Sequence, residues 1–276
     1  MNLELVKPEL SADQFDHIRQ LLYQLCRIDL KPGKENLVEG RLIKRLRQLG
    51  LDDFDAYIRY LDKDRTGGER AFMVDALTTN KTSFFREDQH FDYLRQQLLP
   101  QLKEKGTGIR FWCAGCSSGE EPYTLSMVLH EAWPHIEHLD VRILATDISD
   151  TALAAARRAV YGPSQVEEVP PVLRHKHFVR SGKQTPTFQM AEWIRHPVSF
   201  AALNLMGSWP MQGPFDAIFC RNVMIYFDRP TQEQLVRRFY ELLGPGGHFF
   251  ISHSESLTGL SHSFQYVQPA VYRREE

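Results

Sequence analysis

Residues 109–123 read Ile109-Arg-Phe-Trp-Cys-Ala-Gly-Cys-Ser-Ser-Gly-Glu-Glu-Pro-Tyr123. The first six form a short apolar run that favours a buried strand, and Gly115 and Gly119 follow it in a turn. A helical pattern begins at Pro122 and continues to Trp133. Glycines in such a loop let the backbone approach a ligand, and the helix N-terminus offers free N–H groups. The stretch therefore predicts the first strand–loop–helix unit of a ligand-binding α/β sheet.

The alternation of strands and helices continues beyond this stretch. Further strands are predicted at 141–146, 215–220 and 248–252, and further helices at 149–159 and 231–243. This order predicts βαβ units and a doubly wound parallel sheet covered on both faces. Segments 264–267 and 270–273 predict an antiparallel C-terminal hairpin at the sheet edge. The proline-rich segment 163–200 interrupts the alternation, and we expect it to form a small antiparallel β insertion.

The first part of the chain has a different pattern. Apolar residues such as Phe15, Ile18 and Leu22 recur at helical spacing, and no strand-like alternation occurs before residue 78. We therefore expect an N-terminal all-helical domain over 1–85, a linker over 86–107, and the sheet domain over 108–276.

The composition is that of a globular protein, with 42% hydrophobic and 25% charged residues. A net charge of −2 provides no global basic field, so we expect no nucleic-acid partner. No run approaches the ~20 apolar residues of a membrane-spanning helix, and the N-terminus lacks the pattern of a secretory signal. Four cysteines in 276 residues do not make a disulfide scaffold, so a reducing, cytoplasmic location is expected.

Three acidic positions indicate the ligand. Glu120 and Glu121 stand where a pyrophosphate would lie, and the loop lacks the GxGxxG fingerprint, so NAD and FAD are disfavoured. S-adenosylmethionine (SAM), which carries a sulfonium and an α-ammonium, suits an acidic rim. Asp147 follows the second strand, where nucleoside-binding folds place the acid that holds ribose hydroxyls. Simpler alternatives exist, since acids are favoured in a first helical turn and Asp147 could cap the helix at Ser149. Together these positions favour a class I SAM-dependent methyltransferase sheet.

A cysteine pair and a loop histidine could suggest chemistry, but we interpret both as structural. Cys113-x-x-Cys116 has no second cysteine pair, and Cys113 lies in a predicted buried strand. His253, in Ser-His-Ser-Glu, has no partner nucleophile at a recognisable spacing, so we interpret it as a loop histidine. The sequence predicts no metal site.

A series of motifs runs through both predicted domains. In order, they are Thr79-Asn-Lys-Thr-Ser-Phe-Phe-Arg86-Glu, Ser118-Gly-Glu-Glu-Pro-Tyr123, Ala145-Thr-Asp147-Ile, Phe215-Asp-Ala-Ile-Phe-Cys-Arg-Asn-Val-Met-Ile-Tyr-Phe-Asp228 and Gly247-His-Phe-Phe-Ile-Ser-His-Ser-Glu255. Together they resemble the chemotaxis receptor methyltransferases of the CheR family. The resemblance implies methyl transfer from SAM to glutamate carboxylates of receptor cytoplasmic helices, which forms methyl esters and S-adenosylhomocysteine.

The resemblance also implies a set of site residues. The residues matching the family's cofactor site are Asn80, Thr82, Arg86, Glu120, Asp147, Asn204, Leu205, Arg221 and Asn222. Asp147 would bind the ribose and Glu120 would lie near the methionine ammonium, while the pair Asn204–Leu205 would border the adenine. Tyr226 matches a tyrosine near the methyl group, and Arg86 an arginine beside the methionine moiety. We expect these two catalytic residues to orient the reactants, because an ionised carboxylate needs no general base.

One predicted helix supplies a candidate substrate contact. Segment 31–50 holds six basic and two acidic residues, a net charge of +4. Arg41, Lys44 and Arg45 share a helix face that could attract an acidic helix, although a solvated face explains the charges equally well. The glutamate-rich methylation helices of receptors favour the contact. We expect receptor helices as partners of a monomer that does not insert into the membrane.

Three other functions share parts of this pattern. An RNA methyltransferase would need a broader basic surface, and a small-molecule methyltransferase would keep the same cofactor site. A nicotinamide dehydrogenase conflicts with Glu120 and Glu121. A non-catalytic SAM-binding protein is disfavoured by the presence of Tyr226 and Arg86.

Overall fold

The computed structural model describes residues 8–105, 108–133 and 135–275. The chain divides into two compact units. The first contains the described residues up to Thr79 together with Tyr226–Asp228, and the second contains Asn80–Ile225 and the residues from Arg229 onward. The division thus falls between Thr79 and Asn80, whereas the sequence pattern predicts a boundary at residue 85. Within the described residues, no helix is long and apolar enough to cross a bilayer.

The first unit is helical. Its helices are α1 (Ala12–Cys26), α2 (Glu35–Leu49), α3 (Phe54–Lys63) and α4 (Gly68–Leu77). Ser11 and Gln14 form a capping box at the start of α1, with Gln14 N donating to Ser11 Oγ at 3.3 Å and Ser11 N donating to Gln14 Oε1 at 2.9 Å. The apolar stripes face inward and bury Phe15, Ile18, Leu22, Val38, Leu42, Leu46, Phe54 and Leu61. This confirms the predicted all-helical N-terminal domain.

The segment predicted as a linker is helical. It consists of α5 (Gln89–Tyr93), a π-helical turn over Leu94–Leu98, and α6 (Leu99–Lys105). Apolar side chains at helical spacing are buried in the core of the second unit, namely Phe91, Leu94, Leu98, Leu99 and Leu102. The segment is therefore part of the sheet domain, because its apolar stripe packs there and does not remain in solvent.

The second unit contains a seven-stranded mixed sheet. Its strands are β1 (Ile109–Ala114), β2 (Val141–Asp147), β6 (Val198–Ala202), β7 (Phe215–Phe219), β8 (Leu243–Phe250), β9 (Gln265–Gln268) and β10 (Val271–Arg273). The spatial order is β6-β2-β1-β7-β8-β10-β9, with the first five strands parallel and the last two antiparallel. The helices α7 (Glu120–Ala132), α8 (Asp150–Arg158) and α11 (Arg229–Leu242) alternate with the parallel strands along the chain. The predicted doubly wound sheet and its C-terminal hairpin are confirmed.

A three-stranded antiparallel sheet forms the insertion. Its order is β3-β5-β4, where β3 is Val160–Tyr161, β4 is Phe178–Ser181 and β5 is Thr187–Met190. Two short helices, α9 (Pro171–His177) and α10 (Glu192–Arg195), accompany it. The predicted range of the insertion, 163–200, differs from the observed range at both ends. The sheet already begins at Val160, and β6 at the other end pairs with β2 in the main sheet, with Ala145 opposite Phe200.

Candidate functional site

The loop after β1 is drawn tightly against the end of β2. The backbone N–H groups of Gly115 and Cys116 both donate to the carbonyl of Thr146, at 2.8 and 2.9 Å. Gly115 has φ +89°, and a Cβ there would lie 2.3 Å from Val223 Cγ2, so only glycine fits. The loop therefore presents backbone, without a side chain at Gly115, at the carboxyl ends of the strands.

Asp147, the last residue of β2, organises this loop. Its Oδ2 accepts from Ser117 N at 2.8 Å and its Oδ1 from Ser149 N at 2.9 Å. The cap of α8 is Ser149, whose hydroxyl accepts from Ala152 N at 3.0 Å. Helix capping therefore does not account for Asp147, and its buried, acceptor-only carboxylate lies where a ribose-binding acid is expected.

The segment that follows the helical unit contacts the same loop. The Asn80 side chain donates to Ser149 Oγ at 3.1 Å, and the Asn80 carbonyl accepts from Ser117 Oγ at 2.9 Å. Thr82 is half-buried two residues later. The structure thus places Asn80 beside the residues that surround Asp147.

Glu120 is a buried carboxylate held by neutral groups. It is 2% exposed and accepts from Ser118 Oγ at 2.7 Å and from Gln165 Nε2 at 3.4 Å. Burial raises its pKa, which shows that the charged form is poorly compensated. A cationic ligand group would supply the missing compensation.

Glu121 has a different environment from its neighbour. Its Oε2 accepts from Arg221 Nη1 at 2.8 Å, while Arg221 Nη2 bonds Glu87 Oε2 at 3.1 Å and the Arg86 carbonyl. Only Glu120 of the acidic pair is therefore available to a cation, since Glu121 is neutralised by a side chain a hundred residues away. Arg221 itself fixes the loop after β7 against α7.

The remaining predicted cofactor residues lie on the loops after β6 and β7 and, for Arg86, in the segment before α5. Asn204 accepts from Met206 N through Oδ1 at 2.9 Å, and Leu205 is buried. Asn222 is half-buried with φ +59°. Arg86 is half-buried, and its guanidinium donates to the Lys81 carbonyl at 2.9 Å.

The structure shows one functional carboxylate in this region that the sequence did not predict as a site residue. Glu255 accepts four backbone N–H groups, from Asn222, Val223, Ile225 and Ser252, at 2.8–3.2 Å. It therefore determines the course of the loop after β7. Its only sequence signal is its place in the Ser-His-Ser-Glu motif, because three of its four partners lie about thirty residues earlier.

The predicted substrate residues belong to the helical unit. Arg41 donates to the carbonyls of Leu77 and Thr78, both at 2.7 Å, at the end of α4. Arg45 forms an ion pair with the buried Glu69, while Lys44 is exposed. Two of the three basic residues are thus engaged within the unit, which leaves Lys44 as the residue of this face with an exposed ammonium.

Tyr226 groups with the helical unit and ends a short 3₁₀ helix, Met224–Tyr226. Its carbonyl accepts from Asp29 N at 2.8 Å. Close by, Tyr23 Oη donates to Asp228 at 2.6 Å within the same unit.

The two cysteines of the Cys113-x-x-Cys116 motif lie buried in the sheet unit. Cys113 and Cys116 are free thiols, both buried, and burial raises the pKa of each well above its ordinary value. They are therefore protonated at neutral pH and act as small apolar side chains.

Family models match nearly the whole chain. The model for the all-alpha domain of CheR methyltransferases matches residues 13–78, and that for their SAM binding domain matches residues 80–273. The chain belongs to the CheR methyltransferase family.

Curated relatives of this family agree in length with the chain. It is 41% identical over 264 residues to chemotaxis protein methyltransferase 2 of Pseudomonas aeruginosa, covering 95% of this chain and 93% of the relative. It is 40% identical to a probable chemotaxis protein methyltransferase of Rhizobium etli, covering 92% and 96%, and 38% identical to the chemotaxis protein methyltransferase of Borreliella burgdorferi, covering 99% and 96%. The protein is therefore a SAM-dependent methyltransferase of the CheR family.

The residues at the strand ends fit SAM. Gly115 permits close backbone approach, Asp147 offers the acceptor that a ribose diol needs, and buried Glu120 suits an α-ammonium. The fit follows the rule that ligands of such sheets bind beyond the carboxyl ends of the strands.

Proposed function

We propose that this CheR family member transfers the methyl group of SAM to glutamate side chains of chemotaxis receptors. The observation that carries the proposal is the match to curated chemotaxis methyltransferases over at least 92% of the chain. That match includes the all-alpha domain as well as the cofactor domain, so the likeness extends beyond SAM binding.

The chemistry of a glutamate acceptor agrees with the site. A glutamate carboxylate, with an ordinary pKa of about 4.3, is already ionised at neutral pH and needs no general base. SAM, when bound, supplies a methyl group activated by its sulfonium. The protein's task is then to align the carboxylate oxygen with that methyl group, an effect worth up to ~7–11 kcal/mol.

Each site residue has a positioning task in this proposal. Asp147 holds the ribose and Glu120 the ammonium, so the nucleoside and the amino-acid parts of the cofactor are each anchored. Arg221 is held by Glu121 and Glu87, and we assign it the task of keeping the loop after β7 in place beside the cofactor. Tyr226 and Arg86 orient the reacting groups.

The receptor contact is proposed for the basic face of α2. Lys44 is exposed and can attract an acidic helix at long range. Arg41 and Arg45 support this face from within the helical unit through their bonds to α4 and Glu69. We further propose that the chain acts in the cytoplasm and as a monomer. Analytical ultracentrifugation of the purified chain would check the monomeric state.

The decisive experiment incubates the protein with radiolabelled SAM and receptor-containing membranes. The expected result is label on the receptor that base releases as methanol, because carboxyl methyl esters are base-labile. Label that resists base, or that appears on other proteins or on RNA, would refute the proposal.

Asp147→Asn tests the assignment of the cofactor site separately. Loss of a charge-assisted bond to the ribose should cost about 1.5–3 kcal/mol, a roughly 10- to 150-fold weaker affinity for SAM by calorimetry. The matched control is Asp150→Asn, which alters an exposed acid in the first turn of α8. Equal affinities for the two variants would contradict the assignment.

A further inference from the structure

His90, near the start of α5, has an imidazole with no visible reason for its burial. The side chain is 0% exposed, and neither ring nitrogen has a hydrogen-bond partner. An unsatisfied buried polar atom costs roughly 1–3 kcal/mol, so such a group calls for an explanation. One explanation is that the imidazole serves as a metal ligand, and the residues beside it bear on this explanation.

Two other potential ligands lie beside His90. The His253 ring stacks on it, with centroids 4.9 Å apart and planes 14° from parallel. Glu87 Oε2 is 3.6 Å from His90 Nδ1. One ligand atom from each of the three residues lies within 4.8 Å of the others. The cluster is closed by buried His90 on one side and open to solvent at exposed His253 on the other.

We propose that Glu87, His90 and His253 form a binding site for a divalent transition-metal ion of the zinc class. Two imidazoles and one carboxylate are a donor set that Zn²⁺ and Co²⁺ prefer, and three protein ligands leave a position for water. Tetrahedral bonds of about 2.1 Å place ligand atoms roughly 3.4 Å apart. The most widely separated pair of ligand atoms needs to approach by up to about 1.4 Å to reach that spacing, which rotation of the exposed His253 side chain can supply.

The charges around the cluster permit an added cation. Glu87 bonds Arg221 at 3.1 Å, but Arg221 also bonds Glu121 at 2.8 Å and so keeps one carboxylate if Glu87 turns toward the metal. His90 is fully buried and neither of its ring nitrogens has a hydrogen-bond partner, so an imidazole lone pair is available to a metal ion. Glu87 also holds Arg221 in the proposed function, but metal binding at this site requires neither SAM nor a receptor.

The test is titration of the purified, untagged full chain with CoCl₂, followed by visible absorbance, and with ZnCl₂, followed by calorimetry. The expected result is one bound ion, with tetrahedral Co²⁺ absorption. His253→Gln is the main variant, since its ring is exposed and folding is not at risk. It should weaken binding by at least ~10-fold, as even loss of a ligand's outer partner costs 10–100-fold.

His138→Gln is the matched control. It removes an exposed histidine that stacks on His135 at 6.1 Å, another close histidine pair in the described chain. It should bind the metal as the parent does, whereas His90→Gln, checked for folding by circular dichroism, should resemble His253→Gln. Absence of stoichiometric binding, or equal affinity for the parent and His253→Gln, would overturn the proposal.

Discussion

Replacing Glu255 by Gln should loosen the loop after β7 and weaken SAM binding. The Glu255 carboxylate accepts Val223 N and Ile225 N at one oxygen, and Asn222 N and Ser252 N at the other. Glutamine keeps one oxygen, but its amide NH₂ would face two N–H donors. Two backbone groups therefore lose their acceptor.

The size of the effect follows from these bonds. A hydrogen bond to a charged group contributes about 1.5–3 kcal/mol, so two of them set an upper limit of roughly 6 kcal/mol. Burial raises the pKa of Glu255, which shows that desolvation of the charge already offsets part of that gain. We therefore expect a loss of about 2 kcal/mol in loop stability, which weakens SAM binding by up to ~30-fold if the loop must close to bind.

The assay is calorimetric titration of SAM into the variant, with thermal unfolding measured in parallel. Glu233→Gln is the control, because this half-exposed carboxylate pairs with Arg229 at 4.0 Å, a surface pair worth ~1 kcal/mol at most. The glutamine oxygen can still accept the hydrogen bond that Ser261 N donates to Glu233 Oε1 at 3.3 Å. Glu255→Asp, which is one methylene shorter, should fall between the parent and Glu255→Gln. If Glu255→Gln bound SAM as tightly as Glu233→Gln does, these bonds would not be what holds the loop.

Four other substitutions have defined outcomes. Tyr226→Phe should lower the methylation rate while SAM affinity by calorimetry stays nearly intact; loss of both would exclude an orienting role. Arg45→Ala should cost roughly 3 kcal/mol in urea unfolding, because it removes the ion-pair partner of the buried Glu69 carboxylate and leaves it the Tyr57 hydroxyl, at 3.0 Å, as a donor. Lys44→Glu should instead leave unfolding unchanged and raise KM for receptor. The reverse pattern would contradict both assignments. Burial, with Arg273 nearby, lowers the pKa of His248 to about 4 from its ordinary 6.5. The unfolded state therefore binds the proton first, stability should fall as pH drops from 6.5 to 4, and His248→Gln should flatten that fall in thermal unfolding.

The parts of the fold that sequence could predict are those specified locally. The strand–loop–helix at Ile109–Trp133 has its strand, glycines and helix within one stretch, and Asp147 directly follows the next apolar run. The segment 86–107 had a readable signal as well, since Phe91, Leu94, Leu98 and Leu102 recur at helical spacing. The structure shows helices over this segment, where the sequence pattern predicts a linker.

The parts that sequence could not predict depend on tertiary contacts. Strand β6 directly follows Pro197 and has only a short apolar pattern of its own. It becomes a strand by pairing with β2. Neither local pattern nor charge shows that Arg221 would neutralise Glu121 and leave Glu120 uncompensated. His90 and His253 are far apart in the chain, so the sequence does not show that their rings stack.

The burial of all four cysteines makes the chain its own probe of local unfolding. Each thiol is at most 2% exposed, and burial raises the pKa of Cys26 to about 11 and also raises those of the other three thiols well above their ordinary values. A thiol reagent can therefore react only when the surrounding structure opens. Cys26 lies in the helical unit and the other three in the sheet unit. Labelling rates resolved by mass spectrometry would thus report the opening free energies of the two units separately, in the unmodified protein and at native temperature.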